Sequence, residues 1–176
     1  MNWMTIFFFS VLFSFTPTGI YCENIRIQGE IIGQEDLFDG FIYFADEDKL
    51  HLKSIKKQFP SNLDSHQLGI QIVKTLIEGP TETFLEPTWP EETRINSLFI
   101  ADDGKAYVVL DVASVISENS DTMAELLAIY SMVNSLTVNI PEIKIVKILI
   151  QGNDAVTLGG HVDLEYFYKT NILIVK

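Results

Sequence analysis

The sequence is poor in the residues that build cross-links and metal centres. Its single cysteine is Cys22, which excludes an internal disulfide. The three histidines, at positions 51, 66 and 161, do not follow the spacing of a zinc site. The acidic stretches 46–48 and 102–104 lack the oxygen spacing of a calcium loop, and we interpret both as turns. We therefore expect no metal and no cofactor.

Basic side chains are also scarce. The sequence has 12 Lys and Arg residues and 24 Asp and Glu residues, which gives a formal net charge of −12. Binding to a nucleic-acid backbone depends on clustered cations that displace counterions, so nucleic acid is not an expected partner. The local basic cluster of Lys53, Lys56 and Lys57 is interpreted as a solvated face.

The apolar run near the N-terminus is too short to cross a bilayer. It extends from Trp3 to Phe15, whereas a spanning helix needs about 20 residues. This length matches the apolar region of a secretory signal peptide, so export is expected. Two interpretations of its end stay open. The chain is either cleaved near Gly19 or Cys22, or it carries a lipid on Cys22 as a lipoprotein, although Tyr21 suits a lipoprotein signal poorly.

Export defines the expected location. The protein is expected in the cell envelope: in the periplasm, on the outer face of the cytoplasmic membrane or in the secreted fraction. All charged residues lie at position 23 or later, so the exported chain keeps the whole net charge. Membrane contact is expected only through a lipid on Cys22 or through an uncleaved signal.

Motifs for nucleophilic catalysis and for phosphate binding are missing. His161 and Asp163 are expected on one strand face, but no nucleophile turn accompanies them. Asp111 ends an apolar strand and is a candidate buried acid without a partner nearby in sequence. An acidic chain offers carboxylate pairs by chance, as in the loop with Glu82, Glu86, Glu91 and Glu92. We expect no catalytic residue and no enzyme.

The clearest structural signal is the segment Ser97–Val112. Two apolar runs flank Asp102-Asp103-Gly104, and Asp-Gly between β-forming runs is typical of a hairpin turn. The second arm is apolar from Ala106 to Leu110, which predicts a strand covered on both faces at the centre of a sheet.

Two helices are predicted on either side of this hairpin. Asp64 and Gln67 form a capping-box pattern before apolar residues at helical spacing, and Gly79-Pro80 ends this helix. The second helix starts after the cluster Ser117–Asp121, with Thr122 and Glu125 as a second capping box. It ends at Asn139-Ile140-Pro141.

Apolar or alternating runs predict further strands over Phe41–Ala45, Leu50–Ile55, Ile143–Ile150 and Ile172–Val175. Together these elements predict an α+β fold with one mixed or antiparallel sheet and two main helices packed on one face. The expected division is a signal over residues 1–22, a tether over 23–39 and one α+β domain over 40–176. Trp89 is expected to anchor the proline-containing loop before the hairpin.

Several segments resemble the GerMN domain in their order and spacing over about residues 40–168. They are Phe41–Asp46, Leu76-Ile77-Glu78-Gly79-Pro80, Trp89-Pro90-Glu91-Glu92-Thr93, the Asp-Asp-Gly hairpin with Val109-Leu110-Asp111-Val112, Met132-Val133-Asn134-Ser135-Leu136-Thr137 and Val146–Gly152. The resemblance implies a compact α+β domain of bacterial envelope proteins, often lipoproteins, that accompanies sporulation and germination machinery in spore formers. It brings no known catalytic set. Several members carry two copies where this chain has one.

Two functions follow from these observations. The leading hypothesis is a non-catalytic exported protein whose GerMN-like domain acts as an interaction or scaffold module for envelope proteins, linked to sporulation or germination. The expected contact surface is an exposed sheet edge or the proline-containing acidic loop. The similarity of the fold to ring-building modules of secretion systems supports it only by analogy. The alternative is a module that binds cell-wall glycan or peptide, with Trp89, Tyr166 and Tyr168 as stacking surfaces. A homo-oligomer is left open.

Overall fold

Six strands and two long helices carry the fold in the computed structural model, which describes residues 36–112, 121–150 and 156–176. The order is β1 (Leu37–Asp46), β2 (Leu52–Pro60), α1 (Ser65–Glu78), β3 (Leu85–Glu86), β4 (Arg94–Ile100), β5 (Lys105–Asp111), α2 (Thr122–Asn139) and β6 (Ile145–Ile150), followed by a turn of 3₁₀-helix over Ile172–Ile174. The predicted signal, Cys22 and the start of the cluster before α2 lie outside the described residues.

The strands form two three-stranded sheets. In sheet 1 the order is β2-β1-β3 and both pairings are antiparallel. In sheet 2 the order is β4-β5-β6, with β5 antiparallel to β4 and parallel to β6. The α+β class and the two main helices are confirmed. The expected single sheet is divided, because β3 pairs with β1 only at Ala45 and Asp46 and no β4 pairing extends that sheet within the described ranges.

The hairpin at the centre of sheet 2 is confirmed. Gly104 has a φ of 85°, a conformation that favours glycine, and its N–H donates to Ala101 O at 2.9 Å. Its carbonyl accepts from Lys144 N at 2.8 Å, so the turn also positions the start of β6. Along β5 the residues Ala106, Val108 and Leu110 are buried, while Tyr107 and Val109 on the other face are half-buried. β5 is thus the central strand of the sheet.

Both predicted signals of α1 are confirmed. Asp64 Oδ1 accepts from Gln67 N at 2.7 Å, and Gln67 Oε1 accepts from Asp64 N at 3.2 Å, which completes the capping box. The helix ends before Gly79, whose φ is 82°. The face with Leu68, Ile72 and Leu76 is buried.

The start of α2 differs from the prediction. Asp121 is the N-cap and accepts from Ala124 N at 2.8 Å, so the expected capping box of Thr122 and Glu125 is wrong. Glu125 turns into the protein instead and is fully buried. From Leu127 to Leu136 every residue except Tyr130 is buried. This helix is therefore enclosed on nearly all sides, and its polar residues must find partners inside the protein.

One hydrophobic core joins both sheets and both helices. Its members include Ile42 of β1, Ile72 of α1, Val108 of β5 and Met132 of α2. Trp89 is only 3% exposed and belongs to the same core, which confirms its role as the anchor of its loop. Within the described residues, no helix combines the length and apolarity that a bilayer crossing requires.

The predicted last strand is wrong. Ile172–Ile174 form a 3₁₀ turn that is capped by Asn171, whose side chain accepts from Leu173 N at 3.1 Å. An Asn side chain that bonds to nearby backbone groups competes with strand pairing. Here the capped turn forms in place of the strand that the β-branched residues favour. Within this segment Val175 forms an isolated bridge to Leu52, the first residue of β2.

Candidate interaction surface

The three strands of sheet 2 present a contiguous apolar face to solvent. Leu98, Val108 and Ile148 stand in register and point into the core. The alternate residues point the opposite way because successive side chains of a strand lie on opposite faces. We call this second set the outer face. Its central part consists of Ser97, Phe99, Tyr107, Val109, Lys147 and Leu149, and it continues to Lys105 and Ile145 at one end and to Arg94 and Asp111 at the other.

The outer face leaves large side chains in water. Phe99 is 60% exposed and Leu149 is 37% exposed, while Tyr107 and Val109 between them are half-buried. The register places Phe99 beside Tyr107 and Lys147 in one row, and Val109 beside Leu149 in the next. A single exposed apolar residue needs no explanation, but a contiguous group across three strands is typical of an interaction site.

The C-terminal segment adds an aromatic ring to this face. The ring centroid of Phe167 lies 5.4 Å from that of Tyr107, with 77° between the planes. The ammonium groups of Lys105 and Lys147 lie 5.9 and 5.8 Å from the Phe167 centroid, within cation–π range. Lys147 Nζ also donates to Glu165 O at 2.9 Å. Two cations and two aromatic rings therefore share one end of the outer face.

The two lysines differ in their charge partners. Lys105 pairs with Asp103, whose hydrogen bond and charge raise the pKa of Lys105 and in return lower the pKa of the Asp103 carboxyl. Lys147 has no carboxylate within 4.0 Å among the described residues. Of these two lysines, Lys147 is therefore the one without a carboxylate partner in the part of the chain that the structure describes.

The three predicted stacking residues do not form one surface. The structure corrects the stacking role expected of Trp89, because an indole buried in the core cannot receive a ligand. Tyr168 is half-buried, packs edge-on against Tyr130 at 5.7 Å and donates its hydroxyl to the carbonyl of Asp163. Burial, together with the charges of Tyr130 and Asp163, raises the pKa of Tyr168. Tyr166 alone is well exposed, at 66%.

His161 is a hydrogen-bonded histidine in a loop, so the expected strand face that it shares with Asp163 is wrong. Its Nδ1 lies 2.8 Å from Glu125 Oε1, and Glu125 Oε2 accepts from His161 N at 3.2 Å and from Val162 N at 2.8 Å. Asp163 Oδ1 accepts from Glu165 N at 2.6 Å. The fully buried carboxylate of Glu125 thus holds the 156–164 loop against the first turn of α2, and the contacts are those of a structural anchor.

The remaining carboxylates lie in ordinary surface positions. Asp111 is exposed, so the interpretation as a buried acid is wrong; the strand ends there and its side chain reaches water. Glu86 pairs with Lys49 at 3.5 Å, Glu82 accepts from Thr81 Oγ1 at 3.2 Å, and Glu91 and Glu92 are exposed. In the part of the chain that the structure describes, no three or more His, Cys, Asp or Glu cluster as a metal site would require.

The segment around Asn134 has a structural role that the sequence did not reveal. Asn139 Oδ1 accepts from Phe41 N at 2.8 Å and its Nδ2 donates to Phe41 O at 2.7 Å, so one side chain pairs with β1 as a neighbouring strand would. Asn134 clamps the backbone of Asn171 in the same way, with both bonds at 2.9 Å. Ser135 Oγ accepts from Tyr43 N at 3.1 Å. These side chains join α2 to β1 and to the C-terminal segment.

Comparison of folds places this domain among GerMN domains. The first GerMN domain of the sporulation protein GerM from Bacillus subtilis matches with a TM-score of 0.57 and 16% identity, over 76% of this chain and 98% of that one. The tandem GerMN domains of the same protein match with a TM-score of 0.56 and 17% identity, over 74% of this chain and 45% of that one. A candidate lipoprotein from Clostridium perfringens is 25% identical, with a TM-score of 0.54, over 76% of this chain and 87% of that one.

The family assignment rests on a match to a protein-family model as well as on the fold. The model of the Germane family, described as sporulation and spore germination, matches residues 41–156, which is more than half of the chain. The chain belongs to this family, and the resemblance to the GerMN domain is confirmed. A comparison with curated protein sequences finds no match.

Proposed function

We propose that this protein is a non-catalytic, exported envelope protein whose domain binds another protein in an assembly linked to sporulation or germination. The observation that carries this proposal is the outer face of sheet 2. Full burial of a Phe or Leu side chain contributes about 1.5–3 kcal/mol. Phe99 has much of that contribution still to gain, and Leu149 has a smaller part of it. A partner that covers them would realise it.

The chemistry of the charged groups is consistent with this proposal. The buried carboxylate of Glu125 is engaged by backbone N–H groups and by His161, and Asp46 accepts from Leu50 N and His51 N. Both acids hold the chain in place at turns and loops. The contacts of these side chains are therefore accounted for by the fold.

An envelope location is supported by three observations. The N-terminal residues match a secretory signal, the family is one of sporulation and spore germination, and one similar structure is that of a candidate lipoprotein. We propose that the chain is exported and that Cys22 is the residue that carries a lipid if it is anchored. The intact mass of the mature protein tests this, because acylation at Cys22 and plain cleavage leave different N-termini.

Site-specific photo-crosslinking in the native host tests the interaction module. A photoreactive residue in place of Phe99 should yield discrete crosslinked envelope proteins. The matched control is Leu50, which is 53% exposed but lies at the turn between β1 and β2, away from sheet 2. If neither Phe99 nor a third position, Tyr166, gives a discrete product that the Leu50 control lacks, the proposal of an interaction module is wrong.

A cell-wall-binding module remains the second candidate because Tyr166 is exposed. Sedimentation of the protein with purified wall material tests it. Under the proposed function the protein stays in the supernatant, whereas binding that Tyr166→Ala abolishes would favour the wall.

A further inference from the structure

We propose that the outer face of sheet 2 docks an acidic protein segment that carries apolar side chains. This inference rests on the proposed function and specifies its surface and the class of its partner. It starts from two properties of the face that occur together. These are the exposed apolar side chains and, at one end, Lys147, which pairs with no carboxylate among the described residues.

The apolar rows supply contact area. Phe99 and Leu149 flank Tyr107 and Val109, so a segment that crosses the three strands diagonally meets four apolar side chains, with Ser97 and Lys147 at the two remaining corners. Aromatic side chains of this kind are enriched among the residues that dominate binding energy at interfaces. The partner must therefore bring apolar side chains of its own.

The charges select an acidic partner. Lys147 donates one of its three N–H groups to Glu165 O, and the other two remain for a carboxylate. The protein as a whole is acidic, with a net charge of −12. At physiological ionic strength, however, charges more than about 8 Å apart are largely screened, so the groups at the contact determine the preference. At this contact, beside Phe167, they are Lys147, the ion pair of Lys105 with Asp103, and the exposed Glu165, whose carbonyl accepts from Lys147.

The same charges argue against a second copy of this chain. A two-fold symmetric contact centred on the cationic end of the outer face would bring the Lys147 groups of both copies together. Like charges that face each other across a contact are destabilising. The complementary surface is one of opposite sign.

The ring geometry argues against a sugar. Stacking on a sugar requires an open, flat aromatic surface, whereas the planes of Tyr107 and Phe167 meet at 77° and cover one another edge to face. Phe99 remains as a single exposed ring on this face. The arrangement suits side chains that pack between rings.

Selection of short random peptides displayed on phage, against the full chain, tests this proposal. We expect the selected peptides to be rich in Asp and Glu together with Phe, Leu or Trp, and their binding to weaken with added salt. Phe99→Ala should weaken binding about fivefold or more, as the loss of an interfacial aromatic side chain does. Lys147→Glu should weaken it by a similar or larger factor, and Lys147→Gln by less.

The matched control is Lys57→Glu, which reverses an exposed lysine on β2 of the other sheet and should leave binding unchanged. Circular dichroism shows whether each variant is folded. Lys147→Gln removes the positive charge without introducing a negative one, so it separates the loss of that charge from a disturbance of the bond to Glu165. Neutral or basic selected peptides, or equal affinity for Lys147→Glu, would overturn the proposal. The proposal would also be overturned if the protein formed a dimer, or bound wall material, and Phe99→Ala abolished that association.

The two proposals fail in different ways. If crosslinks form at Phe99 but the selected peptides show no acidic preference, the interaction module stands and the partner class is wrong. If no crosslinks form at any exposed position, the proposed function itself fails.

Discussion

The amide of Asn134 fixes the C-terminal segment, and its removal gives a measurable loss of stability. Asn134 is 1% exposed and makes two hydrogen bonds of 2.9 Å to the backbone of Asn171. A net contribution of about 0.5–1.5 kcal/mol per bond gives about 1–3 kcal/mol for the pair. Because Asn171 is half-buried and water can reach it, we expect Asn134→Ala to cost about 2 kcal/mol.

Urea unfolding measures this cost. The fluorescence of Trp89 reports the transition, because this side chain passes from the core into water. In a domain of this size about 2 kcal/mol corresponds to a decrease in Tm of roughly 6–8 °C. Hydrogen exchange should also show faster exchange in residues 165–176, where the clamp is lost. The control Asn62→Ala removes an exposed loop amide and should change stability by less than about 0.5 kcal/mol.

A second substitution separates the hydrogen bonds from simple packing. Asn134→Asp keeps the acceptor for Asn171 N but places a carboxylate oxygen against Asn171 O. At neutral pH it should cost more than Asn134→Ala, about 3 kcal/mol or more, since a buried charge is left unpaired. The loss of stability of Asn134→Asp should become smaller at low pH, where the protonated carboxyl can donate to Asn171 O. If Asn134→Ala costs less than about 0.5 kcal/mol, the clamp is not the stabilising contact inferred here.

Three further perturbations test other contacts. Burial would raise the pKa of Asp46, but the N–H groups of Leu50 and His51 and the nearby charges outweigh it and lower the pKa. A lowered pKa means that the carboxylate stabilises the fold above about pH 4 and that this stability is lost as the pH falls through the folded value. Asp46→Asn should therefore lower stability at pH 7 and leave it unchanged in strong acid, as measured by urea unfolding at several pH values. Gly104→Ala should cost about 1–3 kcal/mol in thermal unfolding, because φ is 85° and a Cβ would lie 2.9 Å from Lys144 Cδ; an unchanged Tm would contradict this. Glu125→Ala should cost about 2–4 kcal/mol and speed exchange of the Val162 amide, and protection equal to that of the original chain would contradict the anchor.

Signals that lie within a few residues were readable in the sequence. The capping box of Asp64 and Gln67, the helix end at Gly79 and the turn at Gly104 each depend on local backbone geometry, and all three are confirmed. The central position of β5 was also predictable, because its apolar run is uninterrupted.

Features that depend on distant pairing were not readable. The division into two sheets depends on β3, which is two residues long and carries no pattern of its own. Glu125 looked like a capping residue because its partners, His161 and Val162, lie far along the chain. The predicted C-terminal strand failed because the cap at Asn171 outweighed the preference of Ile172–Val175 for extended structure.

The candidate surface was only partly predictable. Export, the acidic balance and the family were visible in the residues, but the exposed residue Phe99 was not. It lies in the run Leu98-Phe99-Ile100, where every residue is apolar and alternation gives no indication of which side chain faces water. Trp89 and Tyr168 were chosen by residue type, and type alone does not distinguish a core aromatic from a binding one.

The pairing of Asn139 with Phe41 has a consequence for solubility. An open strand edge is a template on which other chains can add strands and aggregate. Here a helix residue 98 positions away blocks that template on β1, and β2 at the other margin of the sheet carries Lys53, Lys56 and Lys57, which discourage the same addition. Asn139→Ala should therefore lower the yield of soluble protein more than its modest effect on stability would suggest. The asparagine protects the chain from its own copies as much as it holds two elements together.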